Sequence, residues 1–576
     1  METTLAAPAV RRVAFEPKTL VAGFTLCFLA LVVLYPVAIL VANSFLISKP
    51  HEATRWGFDA WRFAVTDPGM LRSLWNTLLV AVARQGLSLP LAIFFAWLIA
   101  RTNMPGGRRL EFLFWVAFFF PSIPAVQAWI LLLDPGFGLV NHALAGLPFV
   151  DKGPFNIYSF WGIVWLHLVT NTVAIKVMLL TPAFRNLDAS MEEASMVAGA
   201  SSLGTLLRVT VPVLTPTIVT VFVLAFIRAF QSVEIELVLG LPINFFVFGS
   251  KIFDLTRLEP PMYGAATAMS VTIVLVMIPL ILLHRRLTGR RDFTVVTSRY
   301  KPQVLDLGGW KWAAFGLVLA FGLLITVVPF VSLVMGTFMK LYGFFDVPDS
   351  PWTIEHWNEV LSNPLFRGAV LNTLYLSAGG ATISVVFFAL LGYVLVRIRF
   401  RFRSVADSLT WVPHALPGII LVLAWFWIIL KTPFLRPLFG TLWALILVSS
   451  LSGVTLGVQI VKTNVLQLGA ELEEASYTAG ASWWTTFQRV VVPLLFPTLV
   501  VLWILHFVSA AASAIMPALL AGPASRPLAL LQLEYILAGR SEPSSVVGVL
   551  VVIFTVGLAV LARALGLRIG LSRVAA

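Results

Sequence analysis

A chain of 576 residues that is 59% hydrophobic and only 12% charged, with a mean hydropathy of +0.92, cannot hide its apolar surface in an aqueous fold. A soluble globular protein is excluded, and lipid must be part of its solvent. The formal charge of +13 does not point to nucleic acid, because the basic residues gather in short loops between apolar runs, where they set membrane orientation. The lone cysteine, Cys27, rules out an internal disulfide or a Cys-x-x-Cys site; inside an apolar run it reads as a small packing residue.

Arg11, Arg12 and Lys18 precede the first apolar run, 19–43, which is too long for the core of a cleavable signal and reads as a retained helix. Five more runs follow near 74–100, 111–133, 159–181, 213–239 and 265–284, and a second six near 310–338, 369–396, 408–430, 440–461, 494–520 and 546–565. Each is long enough for about 30 Å of hydrocarbon. With the N-terminus cytoplasmic, that face receives Arg101, Arg108 and Arg109, then Arg285, Arg286, Arg290, Arg291, Arg299 and Lys301. Arg397, Arg399, Arg401, Arg403, Arg563, Arg568 and Arg573 follow on the same side. This bias places both termini inside. The chain divides into a tail, first helix and outer loop (1–71), a first half (72–285), a basic linker (286–309), a seventh helix and outer loop (310–367), a second half (368–565) and a tail (566–576). The linker is polar and positive, a connector and orientation signal that can also meet anionic lipid.

The halves share one plan. Asn76-Thr77-Leu78 matches Asn372-Thr373-Leu374, Arg101 matches Arg397 and Pro121 matches Pro417, all at one offset. Six spans separate equivalent points, so both copies face the same way, a parallel repeat about an axis along the membrane normal. The expected fold is an all-α membrane protein of about twelve helices in two six-helix, pseudo-twofold-related halves.

The strongest repeat lies between spans four and five and again between ten and eleven. Met191 to Pro212 reads MEEASMVAGASSLGTLLRVTVP, and Leu472 to Pro493 reads LEEASYTAGASWWTTFQRVVVP. They align without a gap at Glu, Ala, Ser, Gly, Thr, Arg and Pro positions, which shared apolarity cannot explain. Glu192 and Glu193 stand near a helix start, where the macrodipole favours acids, and Ser190 with Glu193 fits a capping box that the second copy lacks. Ala194, Ser195, Ala198, Gly199, Ala200 and Ser201 are small enough for another backbone to approach. Gly199 suits a left-handed helix end, and Pro212 and Pro493 suit the first turn of the next span.

This loop resembles the signature of the integral-membrane permeases of bacterial ATP-binding-cassette (ABC) importers: Glu-Ala-Ala, three residues, Gly, nine residues, then Ile-x-Leu-Pro. Glu193-Ala194-Ser195, Gly199 and Val209-x-Val211-Pro212 carry it once. Glu474-Ala475-Ser476, Gly480 and Val490-x-Val492-Pro493 carry it again, with Ser for the second Ala and Val for Ile and Leu. The resemblance spans roughly 72–285 and 368–565 and implies two fused permease domains of the type I importer kind. It implies that Glu193, Ala194, Ser195, Gly199 and Pro212 couple to one ATPase, and Glu474, Ala475, Ser476, Gly480 and Pro493 to a second. It further implies a periplasmic binding protein that selects the solute, and residence in the bacterial inner membrane. No phosphate loop, His-Glu-x-x-His or Gly-x-Ser-x-Gly occurs, so ATP is expected on the partner subunits, and the chain is read as a transport subunit with no catalytic constellation and no cofactor of its own.

Charges inside spans are costly, about 2.5–3.5 kcal/mol each on insertion scales. Arg84, Arg228, Glu234 and Glu236 are therefore candidates for the pathway. On a continuous fifth helix Arg228 and Glu236 would share a face and Glu234 would point elsewhere. A structural ion pair, or acids reaching the outer water, is the competing reading. The second half has Gly380, Ser509, Ile515 and Pro517 at these places, so the site is one-sided. The histidines His51, His142, His167, His284, His356, His414 and His506 have no metal-ligand spacing and read as packing or interfacial residues. The runs Phe226–Phe230 and Val238–Pro242 look most like the ferric-iron type of permease. Thiamine, polyamine or phosphonate-type solutes are the alternatives, and a twelve-helix secondary transporter is the rival from another class.

Overall fold

The computed structural model describes residues 17–47, 55–149, 153–188, 190–288, 304–345, 347 and 350–564. Arg11, Arg12, His51, the linker stretch with Arg290, Arg291, Arg299 and Lys301, and the tail with Arg568 and Arg573 lie outside the described residues. With no water in the bilayer core to satisfy backbone N–H and C=O groups, an apolar chain must close its hydrogen bonds internally, which favours helices. Among the described residues, 9 helices are long and apolar enough to cross a membrane. They are Gly23–Ser44, Pro68–Arg101, Phe160–Arg185, Ser202–Ala229, Tyr263–Leu280, Trp310–Phe338, Pro364–Arg397, Trp483–Ala512 and Ser541–Ala564.

The remaining expected spans are broken. The run at 111–133 is two helices, Gly107–Phe119 and Ser122–Leu133, bent by 101°. The bend falls at Pro121, the extended residue capping the second helix. Pro417 stands in the same position before Gly418–Lys431, and the run at 408–430 is split among Arg403–Leu409, Val412–Ala415 and that helix. Leu442–Leu451 and Val454–Gln467 bend by 49° at Gly453, whose φ is 73°. The equivalent place in the first half is a π turn, Leu168–Thr172, with Thr170 outside helical φ/ψ.

Spans five and eleven are shifted. Their helices start at Ser202 and Trp483 and end at Ala229 and Ala512. The residues beyond form separate short helices, Glu234–Gly240 and Ile515–Leu520. Pro212 and Pro493 therefore do not begin a span. Each follows a π turn, Leu206–Thr210 or Phe487–Val491, inside a continuing helix. Proline offers no N–H and crowds the carbonyl four residues back, and a wider turn just before it absorbs that mismatch.

Each half clasps the other through its first helix. Tyr35–Ser44 packs on Tyr263–Thr288 of its own half and on Gly418–Lys431 of the other. Trp310–Phe338 packs on Ser541–Ala564 and crosses to Gly107–Phe119 and Ser122–Leu133. Phe321 from the second half stacks with Phe95 and Phe114 of the first, at 4.6 and 6.0 Å between ring centroids. One apolar core therefore runs through both halves. Cys27 is exposed rather than packed, because an apolar run does not distinguish a face turned to lipid from one turned to protein.

Candidate functional site

The duplicated loop folds the same way twice. Ser190–Val197 and Glu471–Thr478 are short helices, each ending at a left-handed glycine, Gly199 with φ 88° and Gly480 with φ 83°. Gly199 N–H bonds Met196 O at 2.9 Å and Ala200 N–H bonds Ser195 O at 3.1 Å; Gly480 to Tyr477 and Ala481 to Ser476 repeat this at 2.9 and 3.0 Å. This paired closure satisfies the last helical carbonyls and needs positive φ at its pivot. The next helix is capped by Ser201, whose Oγ accepts from Gly204 N–H at 3.1 Å, and in the second copy by Ser482. Across the turn, Ser195 Oγ meets Thr205 Oγ1 at 3.0 Å and Ser476 Oγ meets Thr486 Oγ1 at 2.9 Å. The expected capping box does not form, since Ser190 is the first helical residue and its N–H donates to Asp188.

The two glutamates of each copy divide the work. Glu193 and Glu474 are exposed, as are Ala194, Ala475, Gly199, Gly480, Pro212 and Pro493. The preceding acid is buried and anchors the loop. Glu192 takes Arg101 Nε at 3.0 Å together with Arg101 Nη2, and Thr210 Oγ1 donates to it at 2.7 Å. Arg101 also donates to Leu187 O at 3.2 Å. Glu473 takes Arg397 Nε at 2.6 Å and Tyr393 OH at 2.7 Å, while Arg397 reaches Leu468 O at 2.7 Å. The repeated arginines and the repeated loops are thus one device. Its third partner differs, because Val491 stands where the first copy has Thr210. Glu192 and Glu473 were visible as the first of two repeated acids, but only burial separates anchor from exposed tip. Around the first tip, Met191, Val197 and Leu203 are exposed, Val197 by 91%, so an apolar surface surrounds the small residues.

A second repeat finds its role at the other end of the helices. Asn76 Nδ2 donates to Phe246 O at 2.9 Å, and Thr77 Oγ1 accepts from Phe248 N–H at 2.7 Å. Asn372 Nδ2 donates to Ala524 O and Arg526 O, and Thr373 Oγ1 accepts from Leu528 N–H at 2.8 Å. In each half the Asn-Thr pair holds the turn after the short helix and starts the next one, Phe248–Arg257 or Leu528–Leu537.

The span-five residues do not share one helix. The helix ends at Ala229, and Glu234 and Glu236 open a new one. Glu236 is buried and pairs with His167 Nε2 at 2.7 Å, with Ser232 Oγ donating at 2.8 Å. The expected Arg228–Glu236 face is therefore replaced by a His167–Glu236 pair, and His167 is more than a packing residue. Glu234 binds Ser122 Oγ and accepts from Ala514 N–H of the opposite half at 3.4 Å. Lys176, fully buried, donates to Ser88 Oγ at 2.7 Å and to Thr172 O at 3.3 Å, beside the π turn. Arg84 is buried with its Nε unpartnered and lies within electrostatic reach of Glu236 and Arg228. In the second half His506 fills this region, hydrogen-bonded to Ser384 Oγ at 3.1 Å.

Crossing helices, broken helices at equivalent places and twin anchored loops define a multi-pass helical membrane protein built from two related halves. Residues 363–570 match the family described as the binding-protein-dependent transport system inner membrane component. The ferric transport system permease protein of Actinobacillus pleuropneumoniae is 24% identical over 359 residues, 62% of this chain and 51% of that protein. The chain thus spans about half the length of that relative. An ABC transporter permease protein of Sinorhizobium fredii is 24% identical over 459 residues, 77% of this chain and 78% of that one. A bacterial ABC transporter involved in the import of the acidic polysaccharide alginate aligns with a TM-score of 0.40 at 16% identity, over 47% of this chain and 95% of that chain. In sequence the chain is similar to permease proteins of ABC transporters, ferric-transport permeases among them.

Proposed function

We propose that this chain is a translocation subunit of an ATP-driven importer. Its loops at 190–201 and 471–482 each seat a separate ATPase subunit, and a periplasmic binding protein delivers a small solute to the opposite face. The observation that carries this reading is the twin loop, with a buried Arg–Glu anchor beneath an exposed, small-residue helix tip in both halves. A rigid tip transmits displacement to the helices that hold it, and Arg101 and Arg397 join each tip to a helix of 34 residues. Closure of two ATPases on ATP would then move both tips together and switch the pathway from inward- to outward-facing.

The loops would lie in the cytoplasm with both termini, and the chain in the bacterial inner membrane. Ferric iron is the favoured cargo, supported by the ferric-transport relative. The test is a purified assembly of the chain with its ATPase and binding protein, carrying Gly199→Trp and Glu474→Arg together. ATP hydrolysis and solute uptake should both collapse. Full activity in that double variant, or uptake driven by an ion gradient without any ATPase, overturns the proposal.

A further inference from the structure

Three cations inside the first half, Arg84, Lys176 and Arg228, make no ion pair among the described residues, and that imbalance points to a ligand. Arg84, in the middle of Pro68–Arg101, is buried, its Nε has no partner, and no hydrogen bond or ion pair leaves its guanidinium among the described residues. The Arg228 side chain likewise makes no ion pair or hydrogen bond among the described residues and remains exposed on its helix. The two are within electrostatic reach of each other, and Lys176 and His167 are within reach of Arg84. At about 1.5 Å per residue, Arg84 and Arg228 both lie roughly 25 Å along their helices from the Arg101–Glu192–Thr210 anchor, so they share one depth. Their helices touch there, since Gln85 Nε2 donates to Ala225 O at 2.8 Å.

The carboxylates nearby are already engaged. Glu236 is held by His167 and Ser232, and Glu234 by Ser122 and the Ala514 N–H. Lys176 is satisfied by neutral oxygens only. Gln85 Oε1 and Thr172 Oγ1 are buried without partners in the same layer. The second half offers Gly380, Gly457 and Ser509 at the places of Arg84, Lys176 and Arg228. A Cβ on Gly380 or Gly457 would strike Ser449 Oγ at 2.9 Å or Phe388 at 2.0 Å, so that side is packed shut. Unpaired guanidinium groups at membrane depth are costly unless something neutralises them.

From the unpaired Arg84 and Arg228 beside Lys176, we propose a binding site in the pathway for a small multivalent oxygen anion, free or as the ligand shell of a negatively charged metal chelate. This rests on reading the chain as a solute permease and names the cargo class it passes. Guanidinium forks bind carboxylate and phosphate oxygens in pairs, whereas a bare ferric ion, a polyamine or thiamine would be repelled here.

The probes are citrate, ferric citrate and, as a cation, putrescine, titrated calorimetrically at constant ionic strength into the purified full-length chain without ATPase or binding protein. Saturable binding of citrate or ferric citrate is expected, weakened about tenfold or more by Arg84→Gln or Arg228→Gln and less by Arg228→Lys. Equal binding of citrate alone identifies a free polyanion, and binding of ferric citrate only identifies a chelate. Absence of anion binding to the wild-type chain, indifference to both Gln variants, or selective binding of putrescine overturns the site. If a Gln variant fails to run as a monodisperse species, the wild-type isotherm and Arg228→Lys decide. None of these outcomes bears on ATPase docking, which the loop variants test separately.

Discussion

Glu192→Gln isolates the anchor beneath the first loop. Arg101 and Glu192 have side-chain exposures of 2% and 2%, so the substitution leaves a buried guanidinium facing a neutral amide. Losing one partner of a buried pair costs about 3–5 kcal/mol, mostly the penalty of the charge left behind. Arg101 keeps its bond to Leu187 O, which places the expected loss near the lower end, about 3 kcal/mol. The loss should be local, because the loop rests on the bundle through this pair and the Ser195–Thr205 contact. Hydrogen exchange of the backbone amides in 190–200 reads that opening directly. At 1.4 kcal/mol per tenfold, exchange there should accelerate about 100-fold while the membrane helices stay protected. Glu473→Gln should accelerate its loop less, since the Arg397 side chain is 20% exposed and keeps its bonds to Leu468 O and Val465 O. Arg101→Met with Glu192→Met should restore most of the protection, because a well-packed apolar pair replaces a buried ion pair at little cost. Unchanged exchange in Glu192→Gln, or equal effects in the two loops, would refute the argument.

Gly199→Ala should destabilise its loop by about 1–2 kcal/mol, although a Cβ there meets nothing within 4 Å. The cost is backbone strain at positive φ, so Gly199→Asn should be milder by the same exchange measurement. Thr77→Val leaves the buried Phe248 N–H without its acceptor, costing about 1–3 kcal/mol; thermal unfolding of the purified chain should show it, and Thr373→Val should match. Gly457→Ala drives a Cβ to 2.0 Å from Phe388 and should cost about 1–3 kcal/mol, with partial recovery in Gly457→Ala combined with Phe388→Leu.

Much of the loop is legible in the sequence. The left-handed turn at Gly199 and Gly480 follows from a glycine placed at a helix end, and the structure puts both at positive φ. The matched pairs Arg101 with Arg397 and Asn76 with Asn372 were visible as repeats, but their partners were not. An arginine at a helix end reads equally well as an orientation charge, and only packing brings Glu192 against it. Lys176 carries the same signal as Arg84, a charge inside an apolar run, but the partners of His167 and Lys176 carry none, since those contacts cross from one helix to others.

Composition and repetition by themselves determined that the chain lives in lipid, is helical and is doubled, because those properties depend on solvent and on pattern summed over many residues. They also located the repeated loop, which is read along one stretch of chain. The tertiary structure decided where helices break, which of two adjacent acids is buried, and which charges are left unpaired. Hydropathy is blind to all three. A bent helix and a straight one bury similar apolar area, while pairing depends on residues far apart in sequence meeting at one depth.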